Sequence, residues 1–100
     1  MARTLTVSRV RVQAGREDQY LAAVRELAAL HAERGRRLWV FRRADDDGLF
    51  LECSESADDA THRAVAPPPE DERRLEARIR AVAEYEYGSW DLWEEVRSTP

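Results

Sequence analysis

Two histidines, three tyrosines, three tryptophans and one cysteine are the side chains of this 100-residue chain with most chemistry to offer. His31 and His62 titrate near neutrality, so either can move a proton, and together they could act as base and orienter or as ligands to iron or zinc. Two imidazoles with no thiolate or carboxylate fixed beside them by spacing make a poor metal site, and no metal or other cofactor is expected. Tyr20, Tyr85 and Tyr87 carry hydroxyls able to donate to an enolate or phenolate, and Trp39, Trp90 and Trp93 offer flat surfaces to an aromatic ligand. Large aromatics also fill sheet interfaces, so packing competes with ligand binding for each of them. Cys53 lies in a strand pattern beside Leu49 and Leu51, which predicts a neutral packed thiol in place of a nucleophile. His62, with His31 second, is the expected acid–base group, and Trp39, Tyr20, Trp90 and Tyr85 are the expected ligand contacts.

The elements that must position these groups are arranged around Arg36 to Ser56, which reads as two strands joined by a tight acidic turn. On the first arm Leu38 and Val40 alternate with Trp39 and Phe41; on the second Leu49, Leu51 and Cys53 alternate with Phe50 and Glu52. Asp45, Asp46, Asp47 and Gly48 supply the short polar side chains, and the residue free to take positive φ, that a hairpin loop favours. Calcium loops need spaced oxygens and a distant bidentate glutamate, so the aspartate triplet is read as a turn. Trp39, Phe41 and Phe50 occupy the face that ought to be wet, and a chain this short has no second layer to cover it. A second copy of the sheet is the economical cover, and the expected assembly is a homodimer through that face.

Before the hairpin, Thr4 to Val12 reads as a strand whose parity slips at Ser8 and Arg9, as a β-bulge would explain. A helix is expected from about Arg16 to Glu33. Glu17 and Asp18 suit its first turn, Tyr20, Leu21, Val24, Leu27, Ala28 and His31 form one stripe, and Gly35 ends it. After the hairpin, Ser56 and Asp59 approximate a capping box for a short helix over Ala57 to Val65, which carries His62. Pro67, Pro68 and Pro69 stop it, and a further helix with Leu75, Ile79 and Val82 on its apolar stripe runs to about Glu84. Gly88 marks its exit, and Ser89 to Val96 alternates as a fourth strand bearing Trp90 and Trp93.

Composition narrows the setting. The chain is expected to form one domain over residues 1–100, and no apolar run approaches the roughly 20 residues that cross a membrane. The opening residues alternate without a signal-peptide block, and the lone cysteine rules out an internal disulfide, so a cytoplasmic setting is expected. All 16 basic residues are arginine, which reflects genome composition; with a net charge of −4 and acids interleaved, no nucleic-acid surface is expected.

The order strand, helix, strand, strand, helix, strand is the split βαβ of ferredoxin-like α+β folds: a four-stranded antiparallel sheet with both helices on one face. The passage FLECSESADDATHRA, Phe50 to Ala64, resembles the antibiotic-biosynthesis monooxygenase-like branch of the dimeric α+β barrel superfamily. Strand three there commonly ends in Glu-Trp-x-Ser, and the helix that follows carries a histidine. Glu52 matches the glutamate, His62 matches the histidine, and Cys53 stands in place of the tryptophan. The helix opening AGREDQYLAAVRELAAL, Ala14 to Leu30, is similar to that family too.

The resemblance implies two sheets closed face to face into a barrel under two-fold symmetry, with a pocket between helices and sheet. It also implies a cofactor-independent monooxygenase-like protein acting on a small aromatic or polyketide-like substrate. The alternatives are a non-catalytic dimeric barrel that binds a small ligand or a partner protein, and a haem-binding relative. Quinol-oxidising members use Asn, Trp, Tyr or Arg side chains and haem-degrading members an Asn, Trp and His set; this chain contains no asparagine.

Overall fold

The computed structural model describes residues 4–56, 68–88 and 91–96. Its elements are β1 (Thr4–Val12), α1 (Glu17–Glu33), β2 (Arg36–Arg43), β3 (Asp46–Ser56), α2 (Glu70–Val82), β4 (Ala83–Tyr85) and β5 (Leu92–Glu94). The strands form one antiparallel sheet in the order β2-β3-β1-β4, with β5 also paired to β1. Both helices lie on one face, giving the ferredoxin-like arrangement. The short helix expected over Ala57 to Val65, with His62, and the position of Trp90 fall outside the described residues.

Helix α1 forms where the apolar stripe required it. Tyr20, Ala23, Val24, Leu27 and His31 are buried, Glu17 and Asp18 occupy the first turn, and Gly35 takes φ of 75° just beyond the end. Helix α2 follows Pro69 and buries Glu72, Leu75 and Ile79. Tyr20, Ala23, Val24, Leu27, Leu75 and Ile79 meet Val10, Val12, Phe50 and Ala83 of the sheet in one core, where each fully buried Val or Leu side chain contributes about 1.5–3 kcal/mol.

The sheet departs from the expected pattern in four places. Residues Thr4 to Arg11 pair with Ser56 to Leu49 in unbroken register, so no bulge lies at Ser8 and Arg9. The parity slip records a change of face: Val10 and Val12 point to the helices, whereas Leu5 and Val7 point away.

Phe50 also belongs to the core, 2% exposed, and not to the outer face. It pairs with Val10 and lies against Tyr20, ring centroids 4.8 Å apart, so the outer residues of β3 are Leu49, Leu51, Cys53 and Glu55. Both faces of this strand are apolar, which is why alternation alone could not orient it.

The hairpin turns at Ala44 and Asp45, earlier than the expected Asp45 to Gly48. Pairing jumps from Arg42↔Phe50 to Arg43↔Asp46, so Asp47, Gly48 and Leu49 bulge from β3. Asp46 is held by Arg11 at 2.8 Å and accepts from the Gly48 N–H at 3.0 Å. Gly48 does not take positive φ. It is small because a Cβ there would lie 3.3 Å from the Val12 carbonyl oxygen.

Finally, α2 stops at Val82 instead of Glu84, and the fourth strand position is shared. β4 pairs with Val10–Val12 and β5 with Thr4–Thr6, along the same edge of β1. Ala83 is already extended and buried, Glu84 is exposed and Tyr85 half-buried, so period two begins at Ala83.

The outer face carries Leu5, Val7, Trp39, Leu51, Cys53, Phe41 and Trp93, with Trp39 37%, Phe41 55% and Trp93 59% exposed. Among the described residues no helix is long and apolar enough to cross a membrane.

Candidate active site

Strand β3 brings Glu52 to the helix-facing side of the sheet, between Ser8 of β1 and Val40 of β2, where it is only 8% exposed. A carboxylate in that position must find donors or give up its charge. It finds two phenols. The Tyr20 hydroxyl, from the first turns of α1, donates to Oε2 at 2.6 Å, and the Tyr85 hydroxyl, from β4, donates to Oε1 at 2.9 Å and Oε2 at 3.1 Å. Three elements far apart in sequence thus converge on one acid.

The electrostatics follow from burial. Desolvation pushes Glu52 above the usual glutamate range, the two tyrosine hydrogen bonds pull against it, and Glu76 adds to the rise while Arg80 opposes it. Tyr20 and Tyr85 are raised as well, first by burial and then by the neighbouring Glu52. Glu76 is itself raised, chiefly by desolvation. The Arg80 guanidinium sits 5.2 Å from the Tyr85 ring centroid and forms the cationic side of the cluster. A carboxyl group whose proton affinity is increased and whose orientation is fixed by two phenols can accept a proton from an acidic C–H or O–H and return it.

Tyr20 and Tyr85 were expected ligand contacts, and the fold brings them together on Glu52. Trp39 is not with them, because it projects from the opposite face of the sheet. His31 is buried elsewhere, with its Nε2 3.2 Å from Glu72 Oε1. Glu72 also accepts from Arg34 and, at 2.7 Å, from Arg36, while Arg34 reaches Asp71 at 2.7 Å. Burial and then Arg36 hold His31 below its ordinary value, so the ring is neutral near pH 7. This cluster ties the end of α1 to the start of β2 and of α2.

His62 and Trp90 lie outside the described residues. Cys53 is half-buried on the outer face, and burial, then Glu52, raises its thiol. Among the described residues no three His, Cys, Asp or Glu side chains are grouped to hold a metal ion. The central residue, Glu52, is not selected by the sequence reading, which meets it only as a motif match. The available signal is a lone acid at the same parity as Phe50 in a strand apolar on both sides.

The sheet and helices superpose on several solved structures. SnoaB, a cofactor-independent oxygenase from Streptomyces nogalater, matches with a TM-score of 0.72 and 21% identity, over 100% of this chain and 97% of that one. A conserved protein of unknown function from Bacteroides thetaiotaomicron gives 0.68 at 19% identity, covering 94% of this chain and 95% of the other. An antibiotic biosynthesis monooxygenase gives 0.65 at 20% identity, with 100% of both chains covered. These neighbours share with this chain the ferredoxin-like α+β fold, the one its sequence resemblance implies. No family model matches the sequence, and none of the curated proteins does.

Proposed function

We propose that this chain is a cofactor-independent oxygenase of a small acidic aromatic or polyketide-like substrate, with Glu52 as the group that takes the substrate's proton. The observation that carries the reading is the buried carboxyl of Glu52, raised by desolvation and aligned by Tyr20 and Tyr85. SnoaB, described as a cofactor-independent oxygenase, has the same fold and lends the reading its reaction class. Proton removal from an activated CH2 leaves a carbanion that reacts with dioxygen; one oxygen atom becomes the carbonyl of the product and the other leaves as water. Tyr20 and Tyr85 hold the carboxyl in line, and His62, on the segment after β3, is a second proton carrier in this proposal.

The protein in this reading is a homodimer through the outer face. Burying Leu5, Val7, Trp39 and Trp93 against a second copy removes exposed apolar surface that a single layer leaves wet. Light scattering at micromolar concentration is expected to give twice the chain mass.

The test is dioxygen uptake with an anthrone. Glu52→Gln keeps the size and the tyrosine partners and is expected to lower the rate about 100-fold or more, in the range that positioned acid–base groups supply. A folded Glu52→Gln protein with the wild-type rate would overturn the assignment of the base. No uptake by the wild type with any anthrone or quinol would overturn the reaction class. His62→Ala is expected to reduce the rate less than Glu52→Gln.

A further inference from the structure

The helix-facing side of the sheet changes character along β1 and β3. At the hairpin end it supplies Val10, Val12 and Phe50 to the core. From Ser8 and Glu52 onward it carries hydroxyls: Ser8 stands across from Glu52, Thr6 across from Ser54 and Thr4 across from Ser56, all on one face. At about 3.4 Å per residue, this row extends roughly 13 Å from Ser8 to Thr4. Apolar side chains border it on both sides, Leu38 and Val40 on β2 and Leu92 on β5, each half-buried. The row lies on the opposite side of the sheet from the face through which the chain is proposed to dimerise.

These hydroxyls lack the partners that burial demands. Thr4 and Ser8 are both more than nine-tenths buried. The Thr4 hydroxyl is buried without a hydrogen bond, and among the described residues those of Ser8 and Ser54 have no partner either. Buried polar groups in folded proteins are satisfied almost without exception, so several orphans along one row point to polar atoms supplied from outside the chain. A hydroxyl both donates and accepts, and so suits a phenol or a carbonyl oxygen. The row offers a carboxylate no charge to pair with. Arg36, across from Ser56, is held by Glu72 at 2.7 Å, and Glu94, across from Thr4, puts a negative charge at the far end.

We propose that this row selects the substrate: Ser8, Ser54 and Thr4 take the hydroxyl and carbonyl oxygens of an uncharged, polyoxygenated fused-ring molecule, and carboxylated analogues are refused. The rings lie between Leu38 and Leu92, apolar contacts of the kind that dominate small-molecule sites, while the few hydroxyls fix the orientation. The inference deepens the oxygenase reading and rests on it for one point, the placing of the reacting carbon at the Glu52 end of the row.

Equilibrium dialysis of the full chain against three quinones tests the proposal: 2,6-dihydroxyanthraquinone, with an oxygen at each end, the parent anthraquinone, and anthraquinone-2-carboxylate. Mildly acidic buffer keeps the phenols uncharged. None of the three has a C–H that Glu52 could take, so binding is read apart from turnover. The diol is expected to bind more tightly than the parent, and the carboxylate more weakly than the diol. Ser8→Ala with Thr4→Val removes two hydroxyls and keeps the shape of the strand. It is expected to weaken the diol about tenfold or more, as the loss of two hydrogen bonds requires, and to leave the parent quinone unchanged. Equal affinity of wild type and double variant for the diol, or a carboxylate bound as tightly as the diol, would overturn the proposal. So would no retention of the diol by protein at about 1 mM, the weak end of specific affinity. Hydroxyl-dependent binding in a protein that takes up no dioxygen with any anthrone would sink the reaction class and leave the row as a binding site; uptake with a double variant that binds the diol undiminished would do the reverse.

Discussion

Glu52 and Glu72 are both buried glutamates on the helix side of the molecule, and their surroundings give them opposite properties. Glu72, its side chain 1% exposed, faces the guanidinium groups of Arg34 and Arg36 and the ring of His31. Burial alone would raise it, but the hydrogen bonds from Arg36 and Arg34 outweigh burial and hold it below the usual range. Among the described residues Glu52 has only phenols as hydrogen-bond partners, neutral donors that together with the more distant Arg80 do not repay desolvation, and it is raised. The same side chain is a permanent anion in one place and a proton acceptor in the other. Partner charge, more than depth, decides between clamp and base.

The largest effect on folding is expected at the clamp. Glu72→Ala leaves two guanidinium groups facing each other and cuts the link between α1, β2 and α2. A loss of about 2–3 kcal/mol in urea unfolding is expected, below the figure for a sealed pair because Arg34 and Arg36 are partly solvated. A loss under about 0.5 kcal/mol would mean that the arginines simply turn to water and that the contrast between the two acids is one of geometry alone.

Tyr20→Phe comes next. It removes one of two donors to Glu52 and is expected to cost about 1–2 kcal/mol. Because that hydrogen bond lowers the Glu52 value, its removal should raise the acid further and move the acidic limb of any pH–rate profile to higher pH. An unchanged profile would show that Tyr20 acts by packing on Phe50 and not through its hydroxyl.

The two acids should also respond to pH with opposite sign. Glu52 binds its proton more tightly folded than unfolded, so its contribution is full below the ordinary glutamate range and is lost as pH rises through its raised value. Glu72 binds its proton less tightly when folded, so its contribution is present above the ordinary range and is lost as pH falls through its lowered value. Stability of Glu52→Gln relative to wild type should therefore improve as pH rises from the ordinary glutamate range through the raised Glu52 value, while the cost of Glu72→Gln should shrink in acid. Chemical unfolding at several pH values reads both. The smallest effect is expected at the exposed pair Arg78 and Glu26, 2.7 Å apart, where Arg78→Ala should change stability by no more than about 0.5 kcal/mol.

The clamp was partly legible in the sequence, and the base was not. His31 stands on the inward stripe of α1 at its last turn, so its burial follows from period 3.6. Its carboxylate partner is 41 positions away on α2, beyond the reach of any local pattern. The hairpin, both helices and the order of elements along the chain are readable because their apolar spacing is regular. Alternation does not orient a strand that is apolar on both faces: it puts Phe50 outside, and it turns the shift from Val7 to Val10 into a bulge. In each case the deciding fact is which neighbour a strand pairs with, not the composition of the strand. The split of the fourth strand position hid for a related reason, since Ala83 and Tyr85 continue the apolar spacing of α2 while already alternating with period two.

The contrast between the two acids can be measured directly by following the side-chain carboxyl carbons of Glu52 and Glu72 through a pH titration by carbon-13 NMR, with Glu52→Gln and Glu72→Gln to assign them. The account requires the Glu52 midpoint to lie above that of an ordinary glutamate and the Glu72 midpoint below it. A Glu52 midpoint at or below the ordinary value would contradict it, since a fully ionised carboxylate held by two phenols would be a structural anchor with no proton affinity to lend to chemistry.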